Sequence, residues 1–150
     1  MTENLRIVAH FLSGKVLKGT AHEFSTDGSV FELVPQGGGA PVTVCFEHLK
    51  AVFFVKDLHG NAKRRNVKGF LQLPGTTPRG IKIAVRFQDG EVLCGYSYTH
   101  ATAGRGLFLF PADTASNNVR VYVLSASTTD IAVGASADLL VKGAARRVTA

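Results

Sequence analysis

The sequence predicts an all-β protein made of two small five-stranded barrels in tandem, followed by a short tail. Three observations predict this fold: a strand-forming composition, an internal duplication, and hairpin signals at matching places in the two copies. Valine, phenylalanine, leucine and glycine dominate, with 16 glycines and 10 phenylalanines among 150 residues, and this balance suits strands better than helices. Hydrophobic residues make up 45% of the chain, which is enough for a core.

The duplication becomes visible when the chain is shifted by 76 residues, so that 5–35 aligns with 81–111 without a gap. Ten of the 31 aligned pairs are identical, whereas random pairing of an ordinary composition would give about two. The identical pairs are Ile7/Ile83, Phe11/Phe87, Gly14/Gly90, Val16/Val92, Leu17/Leu93, Gly19/Gly95, Thr26/Thr102, Gly28/Gly104, Leu33/Leu109 and Pro35/Pro111.

Each copy contains the same hairpin signal, FLSGKVLKG in the first and FQDGEVLCG in the second. Both read as a strand, a two-residue turn with glycine second, and a returning strand. Gly14 and Gly90 supply the positive φ that such a turn needs. The signal therefore predicts architecture and gives no information about chemistry.

Alternation and turn residues predict five short strands in each copy. Antiparallel strands this short do not leave long flat edges exposed, so each set is expected to curl into a small barrel, and the two barrels to pack together or share an edge. The predicted strands are Leu5–Phe11, Val16–Phe24, Val30–Val34, Val42–Phe46 and a strand from Ala51, then Ile81–Phe87, Val92–His100, Leu107–Phe110, Val119–Leu124 and Ile131–Val133.

These strands divide the chain into four parts. The first barrel occupies 1–57 and the second 80–134, separated by a basic, Gly- and Pro-containing linker over 58–79. Residues 135–150 form a tail, either a short helix over Asp138–Arg147 or a frayed end, because Gly143 interrupts the helical pattern.

Surplus apolar surface also predicts where the two copies meet. Phe53 and Phe54 are adjacent, so a strand sends one to each face, and Phe108 and Leu109 do the same in the second copy. This is more apolar surface than one small barrel needs, and it indicates either a buried contact between the copies or a binding surface. Of the two, we expect packing between the copies.

The patterns HFLSGKVLKG, FELVP and LKAVFFVKDLHGN, followed by VRFQDGEVLCGY and LFLFPADTASNNVRVYV, resemble an uncharacterised bacterial family. That family is built from two Sm-like barrel repeats of the Src-homology-3 type. Its members resemble accessory modules, often found beside PilZ or other signalling domains. The resemblance covers the chain to about Val133 and implies a fold and an accessory role, with no catalytic residues to transfer.

The formal net charge of +6 is concentrated in one region. Residues 58–88 contain seven basic side chains and no acidic one, whereas the rest of the chain has ten basic and eleven acidic residues. Such a run can contact phosphates, or it can be a solvated linker without a partner. The candidate nucleic-acid-binding residues are Lys63, Arg64, Arg65, Lys68, Arg79, Lys82 and Arg86.

No residue spacing points to catalysis or to a cofactor. The histidines have no metal-ligand spacing, no GxSxG elbow occurs, and no pair of carboxylates has a defined spacing on one element. Cys45 and Cys94 lie in apolar strands and are expected to be buried, inert thiols. We therefore expect no enzyme, no metal and no cofactor.

The leading hypothesis is a non-enzymatic interaction or signalling-accessory module whose partner is another protein. The alternative is a nucleic-acid-binding protein that uses the basic linker and the start of the second repeat. MTENLRIV lacks the pattern of a signal peptide and no apolar run has the length of a membrane span, so a cytoplasmic protein is expected, either monomeric or dimeric.

Overall fold

The computed structural model describes residues 5–56, 58, 81–97, 105–111 and 118–148, with side-chain burial in the last range described for 119–142. Within these ranges ten strands form one open antiparallel sheet, and a short C-terminal helix follows. The prediction of a mostly β protein is confirmed. The elements are β1 (Leu5–Phe11), β2 (Val16–Ala21), β3 (Val30–Pro35), β4 (Val42–Cys45), β5 (Leu49–Val55), β6 (Ile81–Phe87), β7 (Val92–Ser97), β8 (Gly106–Pro111), β9 (Asn118–Leu124), β10 (Thr128–Val133) and α1 (Ala135–Val148).

The order of strands across the sheet is β10-β6-β7-β8-β9-β5-β1-β2-β3-β4. We call β1 to β5 the N-terminal half and β6 to β10 the C-terminal half. Inside each half the neighbours follow the same scheme, with the fifth strand beside the first and the fourth strand beside the third. One antiparallel ladder, between β5 and β9, joins the halves.

The two halves also match in register and in turn geometry. Leu5 pairs with Ala21 in β1–β2, and Ile81 pairs with Ser97 in β6–β7, so the offset of 76 holds on both strands. Gly14 and Gly90 both have φ of +93°, which is the left-handed conformation that the sequence predicted for these turns.

Equivalent hydrogen bonds link the first hairpin turn of each half to the 3-10 turn that follows its fourth strand. The N–H of Leu12, just after β1, donates to the carbonyl of His48 at 2.9 Å, in a short 3-10 turn that follows β4. The N–H of Gln88 donates to the carbonyl of Ser127 at 2.9 Å in the equivalent turn after β9. These bonds bring the end of the fourth strand close to the turn between the first two strands.

Most predicted strand positions are confirmed, and the differences have packing causes. β2 ends at Ala21 because Phe24 leaves the strand and turns into a cluster of aromatic rings. β5 begins at Leu49, which pairs with Phe11 across a β-bulge. β10 begins at Thr128, since two β-branched threonines fit the strand. The C-terminal segment adopts the helical alternative as α1.

The buried residues form two clusters that share the β5–β9 ladder. Val52 and Phe54 of β5 belong to the cluster of the N-terminal half, together with Tyr122 of β9. Phe53 of β5 belongs to the cluster of the C-terminal half, together with Val121 of β9. The prediction that adjacent apolar residues pack between the copies is therefore confirmed, and both faces of this ladder are buried.

Helix α1 packs against β6 and β10 at the end of the sheet. Ala137 is completely buried there, and the N–H of Gly134, just before the helix, donates to the carbonyl of Lys82 at 2.9 Å. The predicted linker over 58–79 lies outside the described residues except for Leu58, which packs against the cluster of the C-terminal half.

Replacing Gly19 of β2 with alanine is expected to destabilise the fold, because the added Cβ would overlap the carbonyl oxygen of Val34 on the neighbouring β3. Forcing backbone apart in a packed sheet costs about 2 kcal/mol or more. Gly28→Ala is the control, since its Cβ would lie 3.8 Å from the nearest atom, and its effect should stay within about 1 kcal/mol. Urea denaturation measures both values, and equal stabilities for the two variants would contradict the assigned β2–β3 packing.

Candidate functional site

The β5–β9 ladder places one polar cluster at the boundary between the halves. Lys50 of β5 extends its ammonium group to the β6–β7 turn, with Nζ 2.7 Å from Asp89 Oδ2 and 2.6 Å from Glu91 Oε1. Its side chain is only 12% exposed, whereas the two carboxylates are about half exposed. We call Lys50, Asp89 and Glu91 the junction ion cluster.

Two further contacts hold Lys50 in place. Its ammonium group lies 4.6 Å above the centre of the Phe87 ring, an electrostatically favourable position for a cation. The hydroxyl of Ser127 donates to the Lys50 carbonyl at 2.8 Å. The side chain and backbone of one residue on β5 are thus both fixed by the C-terminal half.

The junction ion cluster shifts the pKa of Lys50 and that of Asp89. Hydrogen bonds from Lys50 and from the Glu91 backbone lower the pKa of Asp89. Burial alone would lower the pKa of Lys50, but the hydrogen bonds to Asp89 and Glu91 outweigh it and raise that pKa. Burial and the nearby Lys50 charge lower the pKa of His10, whose ring lies 4.5 Å from the ring of Phe53.

An aromatic cluster lies on the other face of the ladder. Phe24, from the β2–β3 connection, has its ring centroid 4.9 Å from that of Phe54 and 5.9 Å from that of Tyr122. The Arg120 guanidinium lies 4.4 Å from the Phe54 ring centre and 5.0 Å from that of Phe108. Rings from both halves therefore share one packed unit, with a cation stacked on its edge.

Apolar side chains are exposed mainly on the N-terminal half. Among the described residues, four of the six large exposed hydrophobic side chains lie between residues 12 and 42. The other two are Val119 of β9 and Leu139 of α1. We call the set on the N-terminal half the N-terminal rim; it comprises Leu12, Val16, Val30 and Val42.

The predicted nucleic-acid-binding residues are brought together only in part. Lys63, Arg64, Arg65, Lys68 and Arg79 lie outside the described residues. Lys82 Nζ lies 3.5 Å from Asp138 of α1, and Arg86 lies 3.4 Å from Asp130 of β10. The two described cations thus each have a carboxylate partner on a neighbouring element.

The remaining sequence candidates are scattered. His22 and His48 are exposed, His10 is half-buried, and His59 and His100 are outside the described residues. The described part of the chain contains no group of three or more histidine, cysteine or acidic residues able to hold a metal. Cys45 and Cys94 are only partly buried, so the expectation of buried thiols is wrong, because β4 is an edge strand and the side chain of Cys94 on β7 is not fully covered.

Sequence reasoning missed the junction ion cluster and the role of Phe24. One signal for the cluster does exist in the duplicated hairpin. At the two turn positions where the second copy has Asp89 and Glu91, the first copy has Ser13 and Lys15. This signal is not specific, because 21 of the 31 aligned pairs differ between the copies, and the strand order is needed to identify Lys50 as the partner.

Comparison with known proteins places the chain in a family. Residues 3–135 match the model of a family of unknown function, DUF6982. The chain belongs to that family. Neither a curated protein nor a solved structure matches the chain. The DUF6982 match spans all ten described strands and the beginning of α1.

None of the helices in the described part of this DUF6982 chain has the length and apolar character that crossing a membrane requires.

A double-mutant cycle on Lys50 and Glu91 tests the junction ion cluster. Removing the charges with Lys50→Met and Glu91→Gln should reveal a coupling of about 1 kcal/mol, since the lysine is largely buried and its partners are half exposed. In the pair Lys82 and Asp138 the lysine is more exposed and the charges are 3.5 Å apart. The same cycle there, with Lys82→Met and Asp138→Asn, should give at most about 0.5 kcal/mol. Chemical denaturation supplies the energies, and equal couplings would contradict the structural importance of Lys50.

His10 should make the fold less stable in mild acid. Its pKa is lowered in the folded chain, so the unfolded chain binds the proton more readily. The stability due to neutral His10 is complete above pH 6.5, the ordinary histidine pKa, and is lost as the pH falls toward the lower folded value. Thermal melts between pH 7.5 and 5 should show this loss in the native chain and in the control His22→Gln, and a smaller loss in His10→Gln. An unchanged pH profile in His10→Gln would contradict the prediction.

Proposed function

We propose that the protein is a non-enzymatic interaction module, a cytoplasmic signalling accessory or scaffold, that binds another protein through the N-terminal rim. The observation that carries this proposal is the uneven distribution of exposed apolar side chains. Leu12, Val16, Val30 and Val42 are 51%, 45%, 43% and 39% exposed. Apolar surface of this kind gains about 25 cal/mol for each Å² that a partner removes from water.

The residues of the C-terminal half at positions equivalent to the rim show whether this backbone requires exposed apolar side chains there. Gln88 stands where Leu12 stands and Gly106 where Val30 stands. Val121 is the counterpart of Val42 and is buried under β5. Three of the four rim positions thus have no exposed apolar side chain in the C-terminal half, while Val16 is matched by the partly exposed Val92. This difference at three positions supports a role for the rim.

We further propose that each half is a small Sm-like barrel and that the chain is a tandem pair. The common register, the matching φ of Gly14 and Gly90, and the paired hydrogen bonds that curl each half support this interpretation. In the N-terminal half, Phe46, which follows β4, belongs to the same buried cluster as Ile7 of β1 and Leu49 of β5. Such curling fits a barrel, with the fourth and fifth strands of opposite halves shared at the junction.

Site-specific crosslinking in the source cell tests the interaction function. A benzophenone amino acid in place of Leu12 should give a discrete adduct with one other protein, because the rim would lie against that partner. The matched control carries the same group in place of Gln88, the equivalent exposed position of the C-terminal half, and should give no such adduct. Identical adduct patterns from the two positions, or none from either, would overturn the proposal.

The nucleic-acid alternative has less support among the described residues, since Lys82 and Arg86 are both paired with carboxylates. It is separated from protein binding by a salt titration with labelled RNA and DNA. Contacts to several phosphates would lose affinity steeply as salt rises. Salt-dependent binding that Lys82→Ala and Arg86→Ala weaken would favour this alternative over the rim.

A further inference from the structure

Strand β4 is the last strand at one end of the sheet. Its equivalent in the C-terminal half, β9, is covered by a neighbouring strand. β4 and β9 occupy equivalent places, as the pairs Leu33–Val42 and Leu109–Val121 show. Val121 is 2% exposed, whereas Val42 is 39% exposed. The difference arises because β5 lies along β9, while among the described residues no strand lies along the outer side of β4.

The internal ladder shows what kind of strand covers such an edge. β5 runs antiparallel to β9, with Phe53 opposite Val121 and Ala51 opposite Val123. These four side chains are buried in one cluster. A large apolar residue therefore fits opposite the valine at position 121, and a small residue fits opposite the valine at position 123.

We infer that the β4 edge binds an extended segment of another protein as an added antiparallel strand with a small–any–large pattern. The small residue lies opposite Val44, which is already 2% exposed, and the large apolar residue covers Val42. The middle residue of the added strand lies opposite Thr43, on the face of the sheet that carries Glu32. Thr43 and Glu32 are both exposed, so a polar or basic side chain is suitable at this middle position. Strand addition of this kind takes its affinity from backbone hydrogen bonds and its specificity from alternate side chains.

Pro41 limits the length of the added strand. It lies just before β4 and is the equivalent of Arg120, which pairs with Phe54 in the internal ladder. Proline has no backbone N–H to donate. The recognised segment is therefore short, about as long as β4 itself.

The edge strand β10 of a second copy does not fit the β4 edge. This strand is the equivalent of β5, since β10 pairs with β6 as β5 pairs with β1. However, β10 has Asp130 where β5 has Ala51, and Ala132 where β5 has Phe53. A carboxylate would be set against Val44, and no large side chain would cover Val42, while α1 already packs against β10.

This inference rests on the proposed interaction function, and a peptide tests it separately. The probe is a labelled peptide with the sequence of residues 49–56, LKAVFFVK, which carries the pattern in Ala51–Phe53. It should bind the full chain saturably, and Val42→Arg should weaken binding by about tenfold or more. Leu139→Arg is the control, because Leu139 is an exposed apolar residue of α1, at the opposite end of the sheet from β4, and it should leave binding unchanged. A probe with aspartate in place of Phe53 should not bind.

The two cysteines report where the peptide lies. Cys45 is on β4 and Cys94 is on β7, and both are partly buried. Bound peptide should slow the alkylation of Cys45 and leave that of Cys94 unchanged. Equal protection of both, absence of binding, or binding that Val42→Arg does not weaken would overturn the inference.

Three further outcomes decide between a second copy, this inference and the proposed function. If the chain self-associates with rising concentration and Val42→Arg abolishes this, the occupant is a second copy and the inference is wrong. If crosslinking from Leu12 captures a partner whose binding is insensitive to Val42→Arg, the interaction function stands and the β4 edge inference fails. If the peptide binds at β4 but crosslinking captures no protein, the edge is competent and the interaction function fails.

Discussion

The antiparallel ladder between β5 and β9 is the constraint on which the rest of the structure depends, because it buries apolar side chains on both faces. Val52 and Phe54 complete one core while Ala51 and Phe53 complete the other. Burying a phenylalanine or valine contributes about 1.5–3 kcal/mol each. The junction ion cluster fixes the same boundary with charge, since Lys50 spans from β5 to the β6–β7 turn. The two halves therefore share their buried cores and one ion cluster at a single boundary.

Features set by local chemistry could be predicted from the sequence. The glycine turns at Gly14 and Gly90 depend on φ alone, so the two hairpins followed from a few neighbouring residues. The double-faced packing of Phe53 and Phe54 followed from strand alternation. The strand ends were harder, because Phe24 leaves β2 to join rings contributed by both halves, and no local pattern encodes that destination.

The candidate site was less predictable for the same reason. Lys50 and Asp89 are 39 positions apart and meet only because the two halves pair through β5 and β9. The exposure of Val42 likewise follows from its place at the end of the sheet, since Val121 has the same residue type in the same register and is buried. Sequence gives the residue type, whereas strand order decides whether that residue is core or surface.

The shared ladder also determines when the protein can fold during translation. The N-terminal half emerges from the ribosome first, but Tyr122 and Leu124, which close its core, are among the later residues to emerge. Until then the face of β5 that carries Phe53 is exposed in the nascent chain, because the residues that bury it belong to the C-terminal half. An exposed apolar strand of this kind binds chaperones or other nascent chains. Slow synthesis between the two halves would lengthen this vulnerable interval.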